Sequence, residues 1–268
     1  MHNTRAVIIA AGLGSRLRPL TLELPKCMLQ VGNKPLIQHC IDNFHANAIN
    51  SISVVTGYKS EKINFDGLHY YHNDNYANNN ILHSLMYARE ELEKAIEDQV
   101  SLVISYSDIW FHPSVIKTLL QSKEDINVVV DTHWMSAYEG RTDHPISEAE
   151  LAVFSKDNKL CAVGKNIINH YDDENENENE NENGEFIGLL MMSPIGIKNF
   201  LDHFDKVNNS LSLTSSFQKA TEWQKSYITD ILQDMIDTQI SVNCVNIQSK
   251  NKWKEFDTRQ DFERGLPL

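Results

Sequence analysis

An unbroken apolar run, Ala6-Val7-Ile8-Ile9-Ala10-Ala11, ends abruptly at Gly12. A strand with one wet face alternates apolar and polar residues, so a run apolar throughout predicts a strand covered on both sides. The chain that follows keeps alternating between two periods. Leu36, Ile37, Cys40, Ile41 and Phe44 have helical spacing between Pro35 and Asn47, and Ser51 to Thr56 then reads as a strand ended by Gly57. His69 to His72 is a short strand candidate, Asn80 to Ile96 a helix, and Val100 to Tyr106 a strand. Pro113 to Leu120 and Asn127 to Asp131 continue the series as helix and strand. Strand and helix in turn predict an α/β fold with a doubly wound, mainly parallel sheet. Ligands on such sheets lie beyond the carboxyl ends of the strands, which gives most weight to the residues just after each one.

The second half is less regular. Ala149 to Phe154 and Leu160 to Val163 predict short strands around an Asp157-Asn158 turn, and Glu185 to Met192 predicts another. Helices are expected at Pro194 to Phe204 and Ile228 to Thr238, with a last strand at Ser241 to Ile247. Between them, Asp172 to Asn183 contains only Asp, Glu and Asn. Such a tract buries too little apolar surface to offset its ordering entropy and is expected to be a mobile loop. Its seven acids supply more than half of the net charge of −13. The mildly acidic remainder argues against a nucleic-acid surface. No apolar run approaches the roughly 18–20 residues of a membrane span, and the N-terminus lacks signal-peptide features. Cys27, Cys40, Cys161 and Cys244 show no metal-ligand spacing and read as reduced thiols. Cytoplasmic residence without membrane insertion is the expectation.

The sharpest local signal is the turn after the first strand, Gly12-Leu13-Gly14-Ser15-Arg16-Leu17-Arg18-Pro19-Leu20-Thr21, with Pro25-Lys26 beyond it. Glycines directly after a strand let backbone N–H groups approach a polyphosphate. A Gly-x-Gly pair alone serves equally well as a structural tight turn. The dinucleotide fingerprint needs a third glycine where Leu17 stands, and the P-loop needs a Gly-Lys-Ser/Thr triplet that is absent from the chain. What remains is a turn carrying Arg16 and Lys26, a planar fork and a point charge suited to a triphosphate.

This signature resembles that of the sugar-phosphate and choline-phosphate nucleotidyltransferases. The likeness extends through Lys34-Pro35-Leu36-Ile37, Thr56-Gly57-Tyr58, Asn73-Asp74-x-Tyr76, Ser105-Tyr106-Ser107-Asp108 and Trp253-x-Glu255-Phe256-Asp257-Thr258. It implies a Rossmann-like fold forming one domain over 1–268, with a nucleotide-binding half (1–130) and a smaller, β-rich acceptor-binding half (131–268). It implies Arg16, Lys26 and Asp108 as catalytic residues, and Mg²⁺ held by Asp108 and Asp257. Ala10, Ala11, Gly12, Gly14, Ser15, Gly57, Asn80 and Ser84 would join Arg16, Lys26 and Asp108 around the nucleotide. A homodimer is compatible with it. Read singly, each aspartate is as well explained as a cap or turn residue.

Asn78-Asn79-Asn80-Ile81-Leu82-x-Ser84-Leu85 is similar to a stretch of choline-phosphate cytidylyltransferases, which points to CTP; an Asn cap with Ser84 on the helix surface is the plainer alternative. Tyr138-x-Gly140-Arg141-Thr142-x-His144-Pro145, Gly164-Lys165 and Gly184-Glu185-Phe186-Ile187 resemble cytidylyltransferases of phosphonate pathways. Trp134, Arg141, His144, Lys165 and Glu185 are the resulting acceptor-site candidates. The acceptor would be a small phosphonate or phosphate monoester such as 2-aminoethylphosphonate, 2-hydroxyethylphosphonate or phosphocholine. Trp134, Tyr138 and Trp253 could gather into a box for a quaternary ammonium, although aromatics are more often core. The alternatives are a sugar-1-phosphate nucleotidyltransferase and a catalytically inactive, nucleotide-binding regulatory relative.

Overall fold

A computed structural model of the chain describes residues 4–167, 181–247 and 251–267. The first strand, Thr4–Ala10, is sealed on both faces from Ala6 onward. It lies between Ser51–Thr56 and Ser101–Tyr106, parallel to both, and His69–His72 adds a further parallel strand outside Ser51–Thr56. Helices cover both sides. Leu82, Leu85, Leu92, Phe200 and Leu232 fill one layer, and Ile37, Cys40, Phe44 and Ile116 fill the other. The fold is therefore mixed α/β around a large, mainly parallel central sheet, and its parallel strands end together at one edge.

The second half of the chain completes that sheet with reversed strands. Glu182–Met192 is antiparallel to Ser101–Tyr106 through Leu189 to Met192. Its early residues pair with Glu150–Phe154, and a register shift between Phe186 and Leu190 interrupts its pairing with Ile126–Asp131. Leu160–Lys165 extends the antiparallel edge, and Asn243–Asn246 joins Ile126–Asp131 in parallel. A separate two-stranded ladder pairs Ile109–Phe111 with Trp253–Glu255, and the Phe256 amide continues it by donating to the Asp108 carbonyl at 2.8 Å. This ladder ties the last part of the chain to the end of a central strand.

Three boundaries differ from the sequence expectation. The helix expected over Asn80 to Ile96 is two helices, Ile81–Met86 and Arg89–Glu97. Leu82, Leu85, Ala88, Leu92 and Ala95 stay fully buried across the break, so the apolar period runs through it unchanged. The helix from Pro194 runs past Phe204 to Ser210. The acidic tract ends earlier than expected, because Glu182 and Asn183 pair with Phe154 and Val153. Strand pairing there needs only backbone groups, which composition does not reveal. Residues 172–180 of that tract lie outside the described residues. No helix among the described residues is long and apolar enough to cross a membrane.

Gly57 marks where two strand ends meet. A Cβ there would lie 2.8 Å from the Ala11 carbonyl oxygen and 2.9 Å from the Ala11 Cβ, and the following Tyr58 amide donates to that carbonyl at 3.1 Å. Gly57→Ala must therefore push the Gly12 turn away from the second strand. Urea unfolding should show a loss of about 1–3 kcal/mol, the usual range for overpacking.

Candidate active site

The loop that follows the first strand folds back on itself at the strand edge. Gly14 has φ of 58°, and the Thr21 hydroxyl donates to its carbonyl at 2.8 Å. A Cβ on Gly14 would meet the Lys26 Cβ at 3.0 Å and the Thr21 Cγ2 at 3.1 Å. Two demands thus meet at one residue, a left-handed backbone and close approach of a side chain. Tyr58 clamps the loop from the next strand by donating to the Thr21 carbonyl at 2.9 Å. The consequence is positional: Arg16 and Lys26 are brought over the end of the sheet.

There they meet two carboxylates from distant parts of the chain. The Lys26 ammonium donates to Asp108 at 2.8 Å and also to Asp257. Arg16 donates to Asp257, and to Glu148 at 3.2 Å. Burial opposes the charge on Lys26, but Asp108 and Asp257 outweigh it and hold the ammonium well above its usual pKa. Burial also opposes ionisation of Asp257, yet Lys26 and Arg16 pull it well below the usual carboxylate range. Asp108 is pushed upward, first by burial, with Lys26 acting against that. Its Oδ1 is buried without a hydrogen-bond partner.

This cluster stands where two clefts join. The first, about 310 Å³, is lined by Ala10, Ala11, Gly12, Gly14, Ser15 and the Asn79 to Ser84 region. The second, about 250 Å³, opens onto His144, Glu148, Glu150, Lys165, Glu185, Tyr227 and Glu255. Arg16, Tyr106, Asp108 and Asp257 line both. In the second cleft Lys165 donates to Glu148 at 2.8 Å and lies 4.5 Å from the centre of the Tyr227 ring. His144 Nε2 is 3.6 Å from Asp257 and its Nδ1 is 3.3 Å from Glu255.

The sequence candidates divide into those brought together and those held elsewhere. Ala10, Ala11, Gly12, Gly14, Ser15, Arg16, Lys26, Asn80, Ser84 and Asp108 all line the first cleft. Gly57 does not, because its place is the packing contact behind Ala11. Asn80 does cap the helix Ile81–Met86, with Oδ1 accepting from the Ile81 amide and Nδ2 donating to the Lys225 carbonyl. Ser84 is buried rather than on the helix surface, and it accepts from Asn73 at 2.9 Å. His144, Lys165 and Glu185 line the second cleft.

Trp134 and Arg141 are not on either cleft wall. Trp134 is 3% exposed and packs edge-on against Tyr138 in a small core with Leu151 and Val153. Arg141 spends its fork on Asp261, at 2.8 and 2.9 Å, and on Glu255 at 3.1 Å. The expected anion contact of Arg141 is replaced by a structural one. The aromatic box does not assemble either, since only Trp253 reaches the cleft and its indole N–H is taken by Asp131 at 2.6 Å. Sequence reasoning named Tyr76, Asn79 and Glu255 only as motif residues without a site role, and it passed over Glu148 and Tyr227, which carry no local signal and reach the site through tertiary pairing.

Comparison with known proteins agrees with this geometry. Residues 5–137 match the family described as nucleotidyl transferase. The chain is 28% identical over 263 residues to a CTP:phosphoglutamine cytidylyltransferase of Campylobacter jejuni, covering 96% of this chain and 97% of that protein. It is 41% identical over 92 residues to the choline-phosphate cytidylyltransferase of Streptococcus pneumoniae, covering 33% of this chain and 40% of that one. Among solved structures, the CTP:phosphocholine cytidylyltransferase from Streptococcus pneumoniae aligns with TM-score 0.66 at 22% identity, over 98% of this chain and 97% of that one. The inositol-1-phosphate CTP transferase from T. maritima aligns with TM-score 0.68 at 20% identity, over 96% and 90%. The fold and the site define a nucleotide-transferring enzyme of the α/β class. The first part of the chain, residues 5–137, belongs to the nucleotidyl transferase family.

Lys26→Met should destabilise the protein by about 3 kcal/mol at neutral pH, because it leaves two crowded carboxylates without their shared cation. Asp257 sits below its usual value in the fold, so its contribution is complete above the ordinary carboxylate pKa and is lost as pH falls through the folded value. The gap between wild type and variant should therefore hold down to about pH 4 and narrow only as pH is lowered below it. Chemical denaturation of both proteins across that range checks it.

Proposed function

We propose that the protein transfers CMP from CTP to a small phosphonate or phosphate monoester and releases pyrophosphate. One observation carries this reading: Arg16, Lys26, Asp108 and Asp257 meet at the junction of two clefts, one behind the glycine turn and one beside Lys165 and His144. The relatives named above support cytidine as the base and a phosphate monoester as the acceptor. On this reading residues 1–130 supply the nucleotide side and residues 131–268 the acceptor side.

A divalent cation fits the carboxylate pair. Asp108 and Asp257 already share one positive charge, both are hard oxygen donors, and Asp108 keeps a buried oxygen without a partner. Mg²⁺ is the ion we assign, held by Asp108 and Asp257, because it binds through one or two carboxylates plus phosphate oxygens. When bound it supplies charge neutralisation and polarisation of phosphate oxygens.

The chain's own residues do the rest. The Gly12–Gly14 turn lets backbone N–H groups approach the triphosphate. Lys26 faces the reacting α-phosphate as a point charge, and the planar fork of Arg16 holds the departing pyrophosphate. Lys165 and His144 orient the acceptor on the far side of the junction. A phosphate or phosphonate oxygen is already ionised near neutral pH, so attack needs position and charge neutralisation more than a strong base.

The test is pyrophosphate release with each nucleoside triphosphate, Mg²⁺ and a panel of phosphate and phosphonate acceptors. CTP should be preferred, and UTP or dTTP turnover with a hexose 1-phosphate would replace this reading with a sugar-nucleotide one. Lys26→Ala and Asp108→Ala should retain their circular dichroism spectra while kcat/KM falls by about 100-fold or more, the scale on which lost transition-state charge stabilisation is felt. Near-normal turnover in either variant would remove the assigned roles.

A further inference from the structure

The turn that leads into the strand Glu150–Phe154 puts a carboxylate between two cations. Pro145 opens the turn, the Glu148 amide donates to the Pro145 carbonyl at 3.0 Å, and the buried Ala149 anchors the chain just beyond it. Glu148 is thereby held on the wall of the second cleft. Both side-chain hydrogen bonds it makes among the described residues end on one oxygen, Oε2, which accepts from Arg16 at 3.2 Å and from Lys165 at 2.8 Å. Arg16 comes from the glycine loop and lines both clefts, and Lys165 ends the strand Leu160–Lys165. The cation assigned to pyrophosphate and the cation assigned to the acceptor thus meet on a single negative atom.

Two cations that share one oxygen lie close enough to repel each other, and the carboxylate between them turns that repulsion into attraction. Lys165 holds the Glu148 carboxyl below its usual range against burial, and Arg16 adds to the pull. The gain for folding is small, because the Arg16 side chain is half exposed and that of Glu148 one third exposed, and ion pairs open to water are worth little. A carboxylate also has the wrong sign for a place that anionic substrates approach. Both facts point away from stability and towards the working cycle.

We propose that Glu148 is a positioning residue that stands in for substrate phosphate. It holds Arg16 and Lys165 at the junction while the site is empty, yields them to incoming anions, and takes them back as the products leave. This rests on the roles of Arg16 and Lys165 in cytidylyl transfer proposed above. An anion that binds has to displace the carboxylate, so Glu148 weakens the site for substrates and pyrophosphate alike. Without it, only a bound anion relieves the repulsion between Arg16 and Lys165. Anions are then held more tightly and released more slowly, which costs turnover wherever release sets the pace. Asp257 does not play this part, since the lysine it shares with Arg16 is Lys26 rather than Lys165.

Inorganic pyrophosphate with Mg²⁺ is the probe, titrated calorimetrically into wild type, Glu148→Gln and Glu148→Asp. Glu148→Gln keeps the shape and removes the charge, and should bind pyrophosphate about 5-fold or more tightly, the scale of one unit charge removed nearby in a part-exposed site. Glu148→Asp keeps the charge and should stay within about 2-fold of wild type. In an Arg16→Met background, where the contested cation is gone, Glu148→Gln should change the affinity by less than about 2-fold. In turnover, Glu148→Gln should lower KM for CTP and for the fastest acceptor of the panel together, with kcat reduced. A residue that merely braces the turn would raise both KM values instead. Loss of the fold in Glu148→Gln, unchanged or weaker pyrophosphate binding, an equal gain in the Arg16→Met background, or rising KM values would each overturn the inference. CTP turnover by the wild type in those cases leaves the cytidylyltransferase reading standing. A wild type that neither binds pyrophosphate nor turns over CTP removes both.

Discussion

The short ladder between Ile109–Phe111 and Trp253–Glu255 is the contact on which the active site depends. Each strand contributes only three residues, yet the aspartates at their ends, Asp108 and Asp257, come from opposite parts of the chain. Phe111, Trp253 and Phe256 are all buried, and their burial offsets the entropy of closing so long a loop. Two carboxylates brought so close repel each other, and the ladder alone would splay them. Lys26, donating to both, converts that repulsion into attraction. The resting site is thus a closed charge cluster assembled from three segments, and none of the three has a function without the other two.

Local chemistry explains which parts were readable in the sequence. The first strand was plain because burial on both faces leaves no polar residue in it from Ala6 onward, and the glycine turn was plain because backbone conformation and close approach both disfavour a side chain at Gly14. Asp108 was accessible by a rule of place, just beyond a strand end. Trp134 and Arg141 were misplaced for the opposite reason: nothing local separates an anion-binding arginine from one paired with Asp261. The same blindness hid Glu148 and Tyr227, and left Glu255 a motif residue without a role. Their identity as cleft residues comes from strand pairing and from the ladder, which are properties of the whole fold. The break after Met86 escaped notice because both short helices bury residues in one continuous apolar phase.

The seam between the parallel and antiparallel strands also places a divider between the two clefts. Tyr106 ends a parallel strand, and Gly188 on the reversed strand opposite has φ of 77°. A Cβ at Gly188 would lie 2.7 Å from the Tyr106 ring, so the absence of one lets the ring lie flat against the sheet. From there it lines both clefts and points its hydroxyl at Glu150. A change of strand direction thus does chemical service. It sets an apolar wall with one polar tip between the two clefts.

Arg141 shows how the wall of the second cleft is tied to Asp257 by a residue that lines neither cleft. Its guanidinium grips Asp261, and Asp261 in turn accepts from the Asp257 amide at 3.0 Å and the Thr258 amide at 2.8 Å while capping the helix Arg259–Arg264. The backbone that carries Asp257 is therefore pinned from behind through Asp261 by Arg141. The same Arg141 stacks on Tyr138 at 5.2 Å, and Tyr138 donates to Glu185. Arg141 thus stands between Glu185 of the second cleft and the aspartate at the junction. A chain of contacts thus runs from Glu185 through Tyr138, Arg141 and Asp261 to the backbone of Asp257. The arginine that looked like a substrate contact is better understood as the strut that keeps the two clefts in register.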